Sequence, residues 1–478
     1  MAVSGAEALL ARARRALGPA GAANQEAATG PAGATGPAGA AGQAGATGPA
    51  GAAGPEGATG QEAAWYVPGR IEVFGKHTDY GGGRSLLAAV ERGVAAVAVP
   101  AAGRVVEVLA AAAGGAGRAG TDAAAGQRVT LSLDTPPSAE VSPGEPPWSV
   151  YARAVVRRAV RDFPGAASGA RVAFAGDLPL AAGLSSSSAL VVALWSALAD
   201  VWGLGREQPA SDPVARAAYL GAVETGAPWG PCAGEAGVGV HGGSEDHAAV
   251  VLCRAAHLLQ CAFLPLRPEG HVRLPDGWRW VVATSGVRAE KTGGARAAYN
   301  RLAAELGAVG AAWRTAGGHS ATAGGALLQE GASAERLVAA ARRHAPAGWD
   351  AVALARRAAQ FAAETLELIP AATAALRAGD AAAFGAAAAR SAELGAAALG
   401  NQVAETLHLA ASARRLGAAA ASPFGAGFGG SVWALVTDGQ ADAFARVWRA
   451  DYERRFPGCA AEAAFFVTGA ADGARRLG

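Results

Sequence analysis

Apolar residues follow two spacings along the chain, and each spacing predicts a different kind of element. Leucine and alanine at helical spacing, with arginines between them, predict a first helix over residues 6–17. Apolar or alternating runs predict strands at WYVPGRIEVFG, SLLAAVERGVAAVAVPA, RVVEVLA, QRVTLSL and ARVAFAGDLPL. Helical spacing returns in WSVYARAVVRRAVRDF, SSSSALVVALWSALADVWG and VARAAYLGAVETG. A last strand, loop and helix are predicted over residues 418–452.

Strands and helices alternate along the chain, which predicts an α+β protein. The pattern becomes mainly helical after residues 267–277. A chain of 478 residues favours two or three units over a single one. We therefore predict an N-terminal helix with an insert over 1–64, a first domain over 65–268 and a second domain over 269–478.

The insert has a collagen-like period. Glycine occupies every third position from Gly30 to Gly60. One alternative is a trimerising triple helix, which would make this a structural collagen-like protein. Few prolines stand in the X position of the triplets, so we favour a repeat expansion that forms a disordered loop.

Composition excludes several classes of function. The formal net charge is only +2, and no basic stripe with interleaved aromatic residues suggests nucleic-acid binding. The four cysteines form no CxxC pair, which favours free thiols over a zinc site or a disulfide framework. No apolar run reaches the ~18 residues of a membrane span. We expect a cytoplasmic protein without membrane contact; the oligomeric state is open, with a monomer favoured.

A serine-rich loop offers the clearest chemistry. In DLPLAAGLSSSSALVVALWSAL a strand ends, Gly183 follows, and four serines open a helix. Unpaired N–H groups and the helix dipole make a helix start an anion site, and serine hydroxyls add donors. A single serine would suffice as a helix cap. The loop therefore indicates phosphate binding, with ordinary capping as the alternative.

Two further loops are weaker signals. FGAGFGGSVWALV has a bare glycine backbone that a ligand or another segment of the chain can contact. GVGVHGGSEDHAAVVL brings Glu245, Asp246, His241 and His247 together in a glycine-rich loop, which we expect to precede a strand. Such a loop suits a general base or a metal ligand, although a solvated turn is the alternative. The chain has no GxxxxGK[ST], HExxH or GxSxG motif.

Rare residues mark one more stretch, GRIEVFGKHTDYGGGRSL. Lysine occurs only at Lys76 and Lys291, and asparagine only at Asn24, Asn300 and Asn401. Because the composition is biased against these types, the places where they occur are informative. We predict that the segments around Tyr299 and Asn401 face the same site as Lys76.

Together, PGRIEVFGKHTDYGGG, LPLAAGLSSSSA and FGAGFGGSVWALV resemble, in the right order, the three motifs of the GHMP small-molecule kinases. The first is most similar to the galactokinase form, PGR-x-N-x-x-GEHTDY-x-GG. The resemblance implies a two-domain fold, with a first domain like ribosomal protein S5 domain 2 and a ferredoxin-like second domain. It also implies transfer of a phosphoryl group from ATP, with Mg²⁺, to a hydroxyl of a small sugar, most simply galactose.

The resemblance also assigns roles to residues. Asp246 would accept or orient the hydroxyl proton, beside Arg70, with Glu245 as a competitor shifted by one residue. Ser187 and Glu224 would hold Mg²⁺. The implied sugar-binding residues are Lys76, His77, Asp79, Gly243 and Tyr299. The implied ATP-binding residues are Gly183, Leu184, Ser185, Ser186, Ser187, Ser188, Gly425, Gly427 and Gly429.

Departures from the galactokinase pattern put the sugar in doubt. Lys76 replaces a glutamate, Glu72 replaces an asparagine, and SEDH differs from the family's IMDQ on both sides of the aspartate. Lys76 would bind an anionic substrate group, as in a sugar acid, or pair with Asp79 or Glu72. A non-catalytic regulator that binds sugar and ATP on the same fold stays open as an alternative.

Overall fold

The computed structural model describes residues 2–18, 61–111, 126–287 and 296–478. The predicted collagen-like repeat and Lys291 lie outside these residues. Among the helices described, none is long and apolar enough to cross a membrane.

The first helix and the first seven strands build a large mixed sheet and its cover. These elements are α1 (Ala2–Leu17), β1 (Ala63–Phe74), β2 (Arg84–Pro100), β3 (Val105–Ala110), β4 (Arg128–Ser132), α2 (Ser149–Asp162), β5 (Ala170–Gly176), α3 (Ser186–Val201), α4 (Pro213–Thr225), α5 (Glu245–Leu252), β6 (His257–Ala262) and β7 (Arg267–Arg273).

The remaining elements follow in the second half of the chain. They are β8 (Trp278–Thr284), α6 (Arg296–Thr315), α7 (Ala323–Leu328), α8 (Ala334–Arg343), α9 (Ala351–Ala363), α10 (Ile369–Ala378), α11 (Ala381–Leu399), α12 (Ala404–Arg415), β9 (Ala420–Phe424), β10 (Ser431–Thr437), α13 (Ala441–Arg455), β11 (Ala464–Thr468) and β12 (Arg475–Leu477). One π-helical turn, Glu364–Leu368, joins α9 to α10.

The first sheet has eight strands in the order β12-β1-β2-β5-β3-β4, with β6 and β7 added beside β2. Its long strand β2 pairs with β5 through its C-terminal half and with β6 through its N-terminal end. Only the β3–β5 pair is parallel among the strands described. The apolar helix α3 packs on β1 and β2 and contributes Leu194, Trp195 and Leu198 to the largest core.

The second sheet is ferredoxin-like. Its four antiparallel strands stand in the order β11-β8-β10-β9, which is the 4-1-3-2 order of a βαββαβ unit. The helices between β8 and β9 and the helix α13 supply the two crossovers. The predicted α+β class and the ferredoxin-like second domain are therefore confirmed.

Two details differ from the sequence reading. The segment that begins at Glu245 is helix α5, so the predicted strand there is wrong: a short apolar run fits either element, and here Ala248 and Ala249 pack against β2 and β6, whereas Val250 packs in the largest core. A boundary at residue 268 would also cut β7, because the two sheets divide between Arg273 and Trp278 and β12 returns to the first sheet.

Candidate active site

A cavity opens between the two sheets, and both halves of the chain line it. The end of β1, the loop after it, the start of α3, the end of α4 and the start of α5 all contribute to its wall. The second half of the chain adds Tyr299 from α6 and residues 425–426 from the loop between β9 and β10.

Arg70 joins the predicted base to the serine loop. The arginine is 2% exposed on β1, and its Nε donates to Asp246 Oδ1 at 2.9 Å. Its Nη2 donates to the same oxygen, and its Nη1 donates to the carbonyl of Gly183. Burial opposes the charge of Arg70, but Asp246 and Glu245 raise its pKa overall. A permanent cation therefore touches both the acidic residue and the loop.

The serine loop has the geometry of an anion-binding helix start. Gly183 and Ser185 take positive φ values of 74° and 58°, which turn the chain into α3 at Ser186. Ser185 makes no side-chain cap, and its buried Oγ has no hydrogen-bond partner among the described residues. Leu184 can offer only its backbone, because its side chain lies in the core.

Ser188, rather than Ser187, contacts the acidic residues. Its Oγ donates to Glu224 Oε2 at 2.8 Å and lies 3.5 Å from Asp246 Oδ2. Glu224 is also 3.1 Å from His247 Nε2, although the angle there does not make a hydrogen bond. The structure thus brings Glu224 and Asp246 to one serine, and the assignment of Ser187 to Mg²⁺ stays a prediction.

The second glycine loop mainly contacts other protein segments. A Cβ on Gly427 would lie 2.4 Å from Asn401 Nδ2, and one on Gly429 would lie 2.5 Å from the carbonyl oxygen of Val287. Gly425 lines the cavity and abuts Gly183, whose oxygen would be 2.8 Å from an added Cβ. Of the three glycines of this loop that are predicted to bind ATP, only Gly425 therefore lines the cavity.

Four of the five predicted sugar-binding residues meet on one wall. His77, Asp79, Gly243 and Tyr299 all line the cavity. The rings of His77 and Tyr299 have centroids 5.6 Å apart. Asp79 Oδ2 accepts from the backbone N–H of Glu245 at 3.3 Å, and a Cβ on Gly243 would come within 2.3 Å of that oxygen.

Lys76 is not part of that wall, which corrects its prediction as a substrate-binding residue. The side chain is 4% exposed, and its Nζ donates to the carbonyl of Pro423 at 2.6 Å. The same nitrogen lies 3.7 Å from Glu72 Oε1. The Lys76 ammonium lies behind the wall, where it contacts the Pro423 carbonyl and the Glu72 carboxylate. Its contacts therefore agree with the alternative in which Lys76 pairs with Glu72.

Glu245 differs from Asp246 in its surroundings. Ser85 Oγ donates to Glu245 Oε2 at 2.5 Å. Burial, with added repulsion from Glu72 and Asp79, raises the pKa of Glu245 well above its usual range. The two adjacent carboxyl groups thus differ: burial favours the protonated form of Glu245, whereas Asp246 is paired with an arginine.

Helix α9 supports the wall in a way that the sequence analysis missed. Arg357 Nη2 donates to the carbonyl of His77 at 2.6 Å, and Gln360 Nε2 donates to that of Lys76 at 3.2 Å. Glu364 accepts from the N–H of Gly75 at 3.1 Å. Polar residues three and four apart within an apolar helix were the available signal.

Two rare asparagines do not line the cavity but bond to segments beside it. Asn300 Oδ1 accepts from the N–H of His241 at 2.8 Å, which ties α6 to the acidic loop. Asn401 Nδ2 donates to the carbonyl of Ala426 at 3.1 Å and lies 3.2 Å from His77 Nε2. Both residues position loops.

These groups suit phosphoryl transfer to a hydroxyl. An ionised carboxylate beside a fixed cation can accept a proton, and a helix start next to it can bind phosphate oxygens. Hydrogen-bonding groups on the opposite wall can orient a polyhydroxylated ligand.

Three family models match the chain in the expected order. The galactokinase galactose-binding signature matches residues 56–100, the GHMP kinase N-terminal domain matches 150–254, and the GHMP kinase C-terminal domain matches 372–454.

Among curated proteins, galactokinase of Haemophilus influenzae strain PittGG is 32% identical over 129 residues, which are 27% of this chain and 29% of that protein. Dog (Canis lupus familiaris) galactokinase is 30% identical over 207 residues, 43% of this chain and 47% of that protein. The matched stretches therefore span less than half of these relatives.

Solved structures extend the likeness in fold over most of the chain. The crystal structure of Lactococcus lactis galactokinase complexed with galactose has a TM-score of 0.70 at 22% identity, covering 88% of this chain and 96% of that one. A mevalonate kinase has a TM-score of 0.54 at 12% identity, covering 86% and 99%. The chain thus matches both GHMP kinase domain models and the galactose-binding signature of galactokinases, and its fold is similar to that of a galactokinase over most of its length.

Proposed function

We propose that this protein is an ATP-dependent sugar kinase that converts galactose to galactose 1-phosphate. One observation supports this most directly: Arg70 bonds both Asp246 and the carbonyl of Gly183. That contact places a candidate base beside the candidate phosphate loop. His77 and Asp79 on the facing wall match galactokinase positions, and the galactose-binding signature covers both.

Asp246 is the proposed base. Arg70 donates twice to its Oδ1, which favours the ionised form of the carboxyl. In that form it can take the proton of the attacking hydroxyl. Glu245 is the weaker candidate for this role, because Ser85 Oγ donates to its Oε2 and burial raises its pKa, which favours the protonated form that cannot accept a proton.

The donor set fits a magnesium nucleotide. Ser188 Oγ, Glu224 and Asp246 offer hard oxygen ligands, as Mg²⁺ prefers, and Ser185 Oγ is buried without a partner in the part of the chain described. No group of three or more histidine, cysteine or acidic residues among the described residues is arranged to hold a metal alone. Magnesium would thus bind through Glu224, a serine and the phosphates, and would neutralise their charge. The N–H groups at the start of α3 would bind phosphate oxygens.

The wall chemistry favours a neutral sugar over a sugar acid. Glu72, Asp79, Glu224 and Asp246 all line the cavity, whereas Arg70 is its only lining lysine or arginine among the residues described. The Lys76 ammonium, which could have bound a substrate carboxylate, is engaged behind the wall. We also propose a cytoplasmic monomer, in keeping with four cysteines that are free in the structure.

The test is ADP formation with Mg·ATP over galactose, glucose, galactosamine and galacturonate. Galactose should be the best substrate, and galacturonate should react at least tenfold more slowly in kcat/KM, because it adds a carboxylate to an acidic pocket. Asp246→Asn should lower kcat by about 100-fold or more, and Glu245→Gln by less than tenfold.

Galactose binding without ADP formation would overturn the kinase proposal in favour of the regulator. A larger loss of kcat in Glu245→Gln than in Asp246→Asn would reassign the base.

A further inference from the structure

Glu72 is a carboxyl group in the cavity wall to which the proposed reaction assigns no role. It lies two residues after Arg70 on β1, so both side chains leave the strand on the same face. Glu72 is 3% exposed and lines the cavity. Among the described residues, no group donates a hydrogen bond to its Oε1.

Lys76 lies close enough to Glu72 to offset its charge but does not donate a hydrogen bond to its Oε1. The 3.7 Å between Lys76 Nζ and Glu72 Oε1 is too long for a hydrogen bond. The ammonium donates instead to the carbonyl of Pro423, and Gly395 packs against the lysine stem. The lysine thus sits behind the wall as a counter-ion.

A buried carboxylate that accepts too few hydrogen bonds carries a desolvation cost. Sugar hydroxyls are the donors that a ligand in this cavity would bring. Burial raises the pKa of Glu72, whereas the nearby Lys76 and Arg70 act against that rise. Oε1 of this buried carboxyl group therefore lacks a hydrogen-bond donor that a ligand hydroxyl could supply.

We propose that Glu72 is a specificity residue that accepts a hydrogen bond from a hydroxyl of the bound sugar. It takes the place of the glutamate that the galactokinase pattern has at position 76, where this chain has a lysine. The departures from the galactokinase pattern at positions 72 and 76 are then linked. The acidic side chain comes from position 72 on β1, and the Lys76 ammonium behind the wall offsets its charge. This inference rests on the proposed sugar-binding function.

The experiment is a cycle of protein variants against ligand variants, measured by calorimetric binding without ATP. Wild type and Glu72→Gln are each titrated with galactose and with its 2-, 3-, 4- and 6-deoxy forms. In the wild type, removal of the hydroxyl that Glu72 contacts should weaken binding about tenfold. In Glu72→Gln the same deoxy sugar should lose less than about threefold, whereas the other deoxy penalties should stay as in the wild type.

Glu364→Gln is the matched control. Glu364 is a second buried carboxylate near Lys76, but it does not line the cavity. Its variant should keep every deoxy penalty of the wild type. If Glu72→Gln does not fold, Glu72→Asp keeps the charge and withdraws the acceptor, and it should reduce the same single penalty.

Unchanged deoxy penalties in Glu72→Gln would overturn the proposal. So would a Glu364→Gln variant that loses the same penalty, because the effect would then act through Lys76. A wild type that binds galactose but forms no ADP refutes the kinase and leaves the Glu72 result intact. A wild type that binds none of these sugars refutes both.

Discussion

Two neighbouring carboxyl groups at the start of α5 have opposite surroundings. Asp246 accepts from Arg70, whereas Glu245 is buried against Ser85 and near Glu72 and Asp79. Adjacent residues on a helix point in directions about 100° apart, so one reaches the arginine and the other reaches the sheet. Environment, rather than residue type, thus separates the arginine-paired carboxyl group from the buried one with the raised pKa.

The raised pKa of Glu245 predicts a pH-dependent stability. In the folded state this carboxyl holds its proton to higher pH than in the unfolded chain, so the native state binds more protons. Its contribution is fully present below the ordinary glutamate pKa of about 4.3 and is lost as the pH rises through the raised pKa. Glu245→Gln stays neutral, so its Tm should fall less than that of the wild type between about pH 5 and pH 8.

Thermal unfolding of both proteins in matched buffers measures this difference. Glu335→Gln is the control, because it replaces an exposed carboxyl group at the start of α8. Gln360→Glu is not suitable as a control, since it would add a buried charge. Parallel Tm curves for the wild type and Glu245→Gln would contradict the prediction.

At the scale of elements, the sequence pattern predicted those strands, helices and turns that depend only on residues close together in the chain. The strand β1, the helix α3 and the serine loop follow from alternation, helical spacing and a helix start, and the structure has all three. The contacts of Lys76 could not be predicted in the same way. Pro423 and Glu364 are hundreds of residues away in sequence, and only the packing of α9 and β9 on the end of β1 brings them near.

The same limit explains the glycine loop. FGAGFGG predicts a bare backbone, but not which neighbour approaches it. Gly427 and Gly429 meet Asn401 and Val287, whereas Gly425 meets the serine loop. A repeated glycine pattern therefore marks close approach without identifying the partner.

The acidic loop gives a prediction at this scale, Gly243→Ala. The added Cβ would lie 2.3 Å from Asp79 Oδ2 and 2.7 Å from its Cγ, so the carboxylate must move. Loss of one well-placed acceptor for a sugar hydroxyl should raise KM for galactose about tenfold, with a smaller effect on kcat.

Gly307→Ala on the exposed face of α6 is the matched control. An added Cβ there has no neighbour within 4 Å, and alanine favours a helix by about 1 kcal/mol. Its KM should be unchanged, and its Tm should be equal or higher. An unchanged KM in Gly243→Ala would show that Asp79 does not hold the sugar.

At the scale of the whole molecule, both ends of the chain complete the first sheet. The strand β12 pairs with β1 at its edge, and α1 packs on β2 and β5. Ala6, Leu9, Leu10, Ala13 and Leu17 of α1 form one core with the sheet. Arg14 of α1 also donates to Glu62 at 2.7 Å, so the end of α1 lies close to the start of β1. The helix is therefore part of the domain, although the collagen-like repeat separates it from β1 in sequence.

This arrangement separates the two parts of the N-terminal segment, and two deletions test it. Removal of residues 26–60 leaves ten residues, 18–25 and 61–62, which can span about 33 Å between α1 and β1. Because Arg14 already reaches Glu62, this linker suffices, and kcat, KM and Tm should stay as in the full chain.

Removal of residues 1–60 also takes away three buried leucines and should lower the free energy of unfolding by on the order of 5 kcal/mol. Size-exclusion chromatography should give the same oligomeric state for the full chain and the shorter deletion. A loss of activity or a change of oligomeric state on removal of residues 26–60 alone would assign the repeat a role in assembly, since neither the cavity nor α1 is altered by that deletion.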